Sequence, residues 1–132
     1  MLTQDRKTPM RDGNLIAVPV NADAVIYAGA IVVITPTGYA ERGFAAPDVT
    51  YVGRAENSVD NTNGNDGDLA VNVRRGMAFK WKNSSTDPVT QAGLGKPCFI
   101  QDDETLAATH NGNTLSAAGV VIGIDPDGVW IV

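Results

Sequence analysis

Ala28-Gly29-Ala30-Ile31-Val32-Val33-Ile34-Thr35, followed after a turn by Tyr51-Val52-Gly53-Arg54 and then by Leu69-Ala70-Val71-Asn72-Val73, is a strand pattern that this chain states twice. The second statement runs Ala92-Gly93-Leu94-Gly95-Lys96-Pro97-Cys98-Phe99-Ile100-Gln101, a turn, Val121-Ile122-Gly123-Ile124, and Val129-Trp130-Ile131-Val132. Each copy has an Ala-Gly lead into an apolar strand, a short strand around a central glycine, and a closing strand. Tyr27 to Thr35 is almost wholly apolar and β-branched, which predicts a strand buried on both faces. Leu69, Val71 and Val73 alternate onto one face, as do Met77, Phe79 and Trp81, with Lys80 and Lys82 pointing the other way.

Working outward, turns punctuate the whole chain. Fourteen glycines and seven prolines are spread along it. The longest stretch without either, Cys98–Asn111, lacks helical spacing of its apolar residues, so long helices are excluded. Pro36-Thr37-Gly38 predicts a turn with a return strand over Tyr39–Phe44, and Val49–Ala55 a further strand. Asn57–Asp68 reads as a polar loop, Lys96–Gln101 as a strand, and Asp102–Ala108 as a turn or single helical turn. At the C-terminus, Asp125-Pro126-Asp127-Gly128 between two apolar runs predicts a tight hairpin, with Pro presetting one dihedral and Gly taking a positive φ. Asn14–Val20 is a strand whose Pro19 suits an edge or strand end.

About nine short strands follow from these signals, and the fold class is all-β: one antiparallel domain, a jelly-roll-like sandwich or barrel. Residues 1–13 are polar without alternation and form a flexible N-terminal arm; residues 14–132 form the β-domain.

The totals agree with one folded unit. At 132 residues the chain has the size of a single domain and can withdraw roughly two-thirds of its unfolded surface from water. Its apolar share of 43% lies in the globular range. A formal charge of −5 argues against general affinity for nucleic acid, which needs cations to displace phosphate counterions. No run approaches the ~20 apolar residues of a membrane span, and Met1–Lys7 has no apolar core of a secretory signal. The single cysteine, Cys98, fits a reducing compartment, where the sequon at Asn83-Ser84-Ser85 carries no glycan.

Candidate chemistry is sparse. His110 is the only histidine and sits in a turn, while Cys98 lies mid-strand, so a Cys98–His110 nucleophile pair lacks any orienting signature. The carboxylates of Asp102-Asp103-Glu104 and of Asp125 and Asp127 fall in turns, where Asp bonds its own backbone. An EF-hand reading of the loop from Asp60 fails, because Val71 stands where the bidentate Glu belongs; weak cation binding by its close carboxylates stays open. Gly93-Leu94-Gly95-Lys96 is not a phosphate loop: Thr90 replaces the first glycine and Pro97 the Ser or Thr after the lysine. No catalytic, cofactor or metal-binding residue is assigned. Arg74, Arg75, Lys80 and Lys82 form a basic cluster on one expected hairpin with Phe79 and Trp81, read as a solvated face, then as a patch for an acidic protein, and last as a site for single-stranded nucleic acid.

Several phrases together resemble a family of tailed-bacteriophage head proteins, the small capsid cement or decoration proteins, many of which carry a label as RecA-like recombinases. The matching phrases are Val52-Gly53-Arg54-Ala55, Asp66–Val73, Gly76-Met77-Ala78-Phe79, Val89–Gly93, Pro97–Ile100, Val121–Ile124 and Val129–Val132, spanning roughly Val25 to Val132. The arm and the extended Asn57–Asp68 loop depart from that pattern. The resemblance implies a noncatalytic structural virion protein on the capsid exterior, assembled in the cytoplasm of a host bacterium, where it binds the phage major capsid protein. It also implies a homo-oligomer, a dimer or trimer, with no cofactor, no direct contact to nucleic acid and no membrane. The arm residues Arg6, Lys7 and Arg11, with Arg74, Arg75, Lys80 and Lys82, are the expected contacts to the shell or a sister subunit. The alternative is a virion-displayed module binding glycans or a host surface, which exposed Trp81 and Trp130 would favour; a small hydrolase using Cys98 or the Asp pairs ranks third.

Overall fold

A computed structural model describes residues 1–132. Twelve strands are present: β1 Leu15–Pro19, β2 Val25–Ile26, β3 Ile31–Ile34, β4 Ala40–Arg42, β5 Thr50–Ala55, β6 Val59–Asp60, β7 Ala70–Arg74, β8 Phe79–Asn83, β9 Pro97–Ile100, β10 Thr105–Ala107, β11 Ala117–Asp125 and β12 Gly128–Ile131. The one helical element is a single 3-10 turn, Gln91–Gly93. The chain is an all-β domain, as the density of turn residues dictates.

The strands fall into two units of the same design. The first is a sheet in the order β1-β7-β5-β3-β4, and the second a closed barrel, β10-β8-β12-β11-β9. Ranked by chain order and leaving aside the small β2–β6 ribbon, both units run first–fifth–fourth–second–third. Every strand pair is antiparallel except the one that closes the second unit, and the open first sheet has one parallel bridge between the ends of its order. In the second unit β10 lies parallel to β8, and in the first a single parallel bridge joins Val20 to Ala40. The repeated sequence pattern therefore marks equivalent places: β3, β5 and β7 in one unit, β9, β11 and β12 in the other.

The units share a wall. Alternation along β3 sends Val32 into the first core, with Val18, Val52, Val71 and Val73. Its neighbours Ile31 and Val33 enter the second, beside Phe79, Trp81, Cys98, Leu106 and Ile131. Hence the uninterrupted apolar run: both faces of β3 are interior. A second tie is Ser116, whose buried hydroxyl donates to the Ala46 carbonyl at 2.6 Å and accepts from the Val49 amide at 3.1 Å.

Several expectations need correction. The strand expected from Tyr27 begins only at Ile31; Tyr27 is exposed, and Gly29, at φ +90°, turns the chain first. Leu69 and Met77, placed on buried faces by alternation, are exposed because they lie just outside β7 and β8. The loop Asn57–Asp68 contains β6, which pairs with β2, and is organised around buried Asn61, whose amide donates to Asn21 and Asn65 carbonyls. Asp102–Ala108 holds β10, buried throughout, rather than only a turn; three residues are too few to display a period. The C-terminal hairpin is as tight as expected, with Asp125 opposite Gly128. Gly128, however, is not in a positive-φ conformation. It is required by proximity: a Cβ there would lie 2.6 Å from the Trp81 carbonyl oxygen. Pro19 does end an edge strand, since β1 pairs along its length with β7 alone.

Candidate functional site

The basic cluster is built across the junction of the two units. β7 belongs to the first sheet and β8 to the second barrel, and the two do not pair, so residues 75–78 link the two units and Arg74 to Lys82 is not the expected hairpin. Gly76, at φ +72°, turns the chain between them. Alternation along β8 holds: Phe79 and Trp81 are buried and Lys80 and Lys82 point outward. The two rings tilt against one another at 6.1 Å between centroids, and the Arg54 guanidinium covers Phe79 at 4.7 Å.

These cations are largely spoken for. Lys80 Nζ reaches both carboxylate oxygens of Asp127, at 3.0 and 2.9 Å, and lies 3.8 Å from Asp125. Lys82 pairs with Glu104 at 2.6 Å, and Glu56 takes Arg54 at 2.6 Å and Arg74 at 3.4 Å. The hydrogen bonds to Asp127 and Glu104 hold the two ammonium groups above their ordinary range, and the Arg54 hydrogen bond holds Glu56 below its own. Arg75 has no ion pair, nor have Arg6, Lys7 and Arg11. Unneutralised positive charge among the seven expected contacts is thus concentrated on the arm.

That arm is the least attached part of the chain. Residues 1–13 are exposed, belong to no strand, and make no hydrogen bond to the body beyond Asp12 accepting from the Asn14 amide. Met1, Leu2 and Met10 are fully or largely bare.

Two surfaces were not legible beforehand. Val120 and Ile122 flank buried Val121 and face outward, next to Val132, which exchanges backbone hydrogen bonds with Val120. In the first unit, Val25, Tyr27 and Phe44 floor an open groove of ≈ 630 Å³, rimmed by Asp23, Glu41 and Arg42. The only cue to either in the sequence is an apolar residue beside a turn, which also describes core positions.

The candidate reactive groups are kept apart. Cys98 is buried, its thiol pushed up to about 11 by desolvation. His110 packs edge-on against Phe99, centroids 5.7 Å apart. Because Cys98 and Phe99 are successive strand residues, their side chains leave on opposite faces, and the histidine sits on the face away from the thiol. His110 Nδ1 accepts from the Asn113 amide, closing its own turn. The loop carboxylates serve the backbone likewise: Asp23 accepts from Asn63, Asp60 from Thr62, Asp66 from Ala22 and Asp68 from Asn65. No three His, Cys, Asp or Glu side chains are grouped to hold a metal ion, and no helix is long and apolar enough to cross a membrane. Trp81 is buried; Trp130 is half-buried, donating its indole N–H to Asp125 at 2.8 Å beneath Lys80. No family model, no curated protein and no solved structure matches this chain.

Proposed function

We propose that this protein is a noncatalytic structural component of a phage head, a cement or decoration protein that binds the outer surface of the shell and braces contacts between capsomers. The observation that carries the proposal is the division of the chain into a doubly cored β-body and an arm with no attachment to it. A head under pressure from packaged DNA is reinforced by stiff pieces that span neighbouring subunits, and weak contacts repeated over many copies sum by multivalency. A free segment carrying Arg6, Lys7 and Arg11 beside bare Met10 suits docking with ordering on contact. The phrases from Val52 to Val132 that resemble the cement family point the same way.

The half-exposed Trp130 is the one observation favouring a virion-displayed glycan- or host-surface-binding module. Its indole N–H is already engaged by Asp125 and its ring lies under Lys80, which supports a packing role instead. Deleting residues 2–12 and measuring occupancy on purified heads tests the structural proposal. Occupancy should fall sharply; full occupancy removes the arm from the account, and absence of the intact protein from assembled particles removes the role altogether.

A further inference from the structure

The groove at the end of the first unit and the arm are complementary. The groove has an apolar floor of Val25, Tyr27 and Phe44, with Tyr27 exposed at 64% and Phe44 at 38%, and two carboxylates, Asp23 and Glu41, against the single cation Arg42 at its rim. It also offers backbone. β4 pairs on one side with β3, and Gly43 donates back to Ile31, so the Arg42 amide faces away from that ladder. The Arg42 N–H is met only by the carboxylate of its own neighbour, Glu41, at 3.0 Å. An edge N–H capped by an adjacent side chain is a position where an added strand can bond. The arm supplies the matching pieces in Lys7-Thr8-Pro9-Met10-Arg11: one large apolar side chain between cations, on backbone that bonds to nothing.

We propose that the arm of one copy docks in the Tyr27–Phe44 groove of a second copy, with Met10 seated on the apolar floor and Arg11 meeting the carboxylates of Glu41 and Asp23, so that the protein self-associates by exchanging arms. Reach disfavours the chain's own groove for this segment. Met10 stands five residues before Leu15, a tether of at most about 18 Å when fully extended. From Leu15 the path runs along β1 to Val20, which bridges in parallel to Ala40, and on by two residues to Arg42. At ~3.3 Å per residue that path is at most about 23 Å. Met10 thus approaches its own groove only with the arm drawn out to its full length, while a neighbour's lies open to it. Charge favours the same pairing, since the body carries the chain's negative excess and the arm has more cations than carboxylates.

The exchange needs no phage particle, so its test stands apart from that of the head-binding role. Light scattering on the purified full chain across micromolar concentrations should report a closed oligomer. Deleting residues 2–12, Met10→Asp and Tyr27→Asp should each yield monomer, with circular dichroism verifying that the fold is retained. Arg11→Glu and Glu41→Arg should each weaken association at least tenfold, and the two together should restore it. A monomeric wild-type chain, an oligomer that survives arm deletion, or arm-dependent association indifferent to Tyr27 and Glu41 would each overturn the proposal.

Discussion

Gly53 and Gly123 occupy matching places in the two strand copies, each directly after a residue skipped by the ladder, yet substitution by alanine should have opposite consequences. A Cβ on Gly53 would sit 2.1 Å from the Arg74 carbonyl oxygen, with the Arg74 carbonyl carbon at 3.0 Å and Arg75 Cα at 3.3 Å. Carbon contacts settle near 3.5 Å, so the β7 backbone must retreat by more than about 1 Å. It cannot do so freely, because Arg54 and Ala55 are in register with Arg74 and Val73, and the Glu56 amide bonds to Asn72 at 2.8 Å. Overpacking of about 1–3 kcal/mol combines with strained or broken ladder bonds, giving a loss of about 3–5 kcal/mol for Gly53→Ala. At Gly123 the nearest atom to an added Cβ is Trp130 Cδ1 at 3.5 Å, an ordinary contact. Gly123→Ala should therefore lie within about 1 kcal/mol of wild type, helped by the lower entropy of the unfolded chain. Urea unfolding followed by tryptophan fluorescence reads both, and thermal midpoints should separate by roughly 10 °C. Equal losses at the two sites, or a Gly53→Ala protein as stable as wild type, would refute the close-approach argument.

Ser116→Ala leaves the buried Val49 amide and Ala46 carbonyl without their partner and should cost about 1–3 kcal/mol, with faster hydrogen exchange at Val49. Burial holds the Cys98 thiol and Tyr51 phenol in their neutral forms, up to about 11 and about 12, so their contribution is complete below pH ~9 and is lost as pH rises through those values. Each two-unit displacement corresponds to on the order of 2–3 kcal/mol. Denaturation midpoints should be flat from pH 7 to 9 and fall above it, and Cys98 should resist alkylation at pH 8 until the protein is unfolded. Lys80→Ala and Asp127→Asn remove an exposed pair and should leave the urea midpoint unchanged within error; a clear drop would mean the pair is more than a surface contact. A fragment beginning at residue 76 keeps every strand of the second barrel but loses Ile31, Val33 and Val49 from its core, and should fail to give a cooperative unfolding transition.

What could be read from the residues was whatever local chemistry decides. The β-branched run at Ile31–Ile34 announced a strand interior on both sides, and the alternation Phe79-Lys80-Trp81-Lys82 assigned its faces correctly, because period and burial are properties of a few adjacent residues. Partnership was not legible. Nothing in Arg74-Arg75-Gly76-Met77 distinguishes a hairpin turn from a link between two sheets, since both use a glycine with positive φ. The need for Gly128 was inferred from dihedral preference and turned out to be the nearness of Trp81, a residue far off in sequence. The neutralisation of the basic cluster was hidden for a related reason: its carboxylates come from Glu56, Glu104 and the Asp125/Asp127 hairpin, three separate strand connections.

The shared strand bears on the proposed bracing role. Two barrels joined by a linker would hinge, because interfaces between independent domains yield more readily than cores. Here the wall between the cores is centred on one strand, β3, hydrogen-bonded on both edges and apolar on both faces, with β5 beside it sending Val52 to the first core and Tyr51 to the second. Rotating one unit against the other would strip Ile31 and Val33 out of one core or Val32 out of the other, at about 1.5–3 kcal/mol for each side chain exposed. Tension entering at the arm reaches β1 and passes through β7 and β5 to β3, each step a ladder of backbone hydrogen bonds. A body made this way transmits a pull between neighbours without bending, which is the mechanical property a bridging subunit requires and a loosely tethered pair of modules lacks.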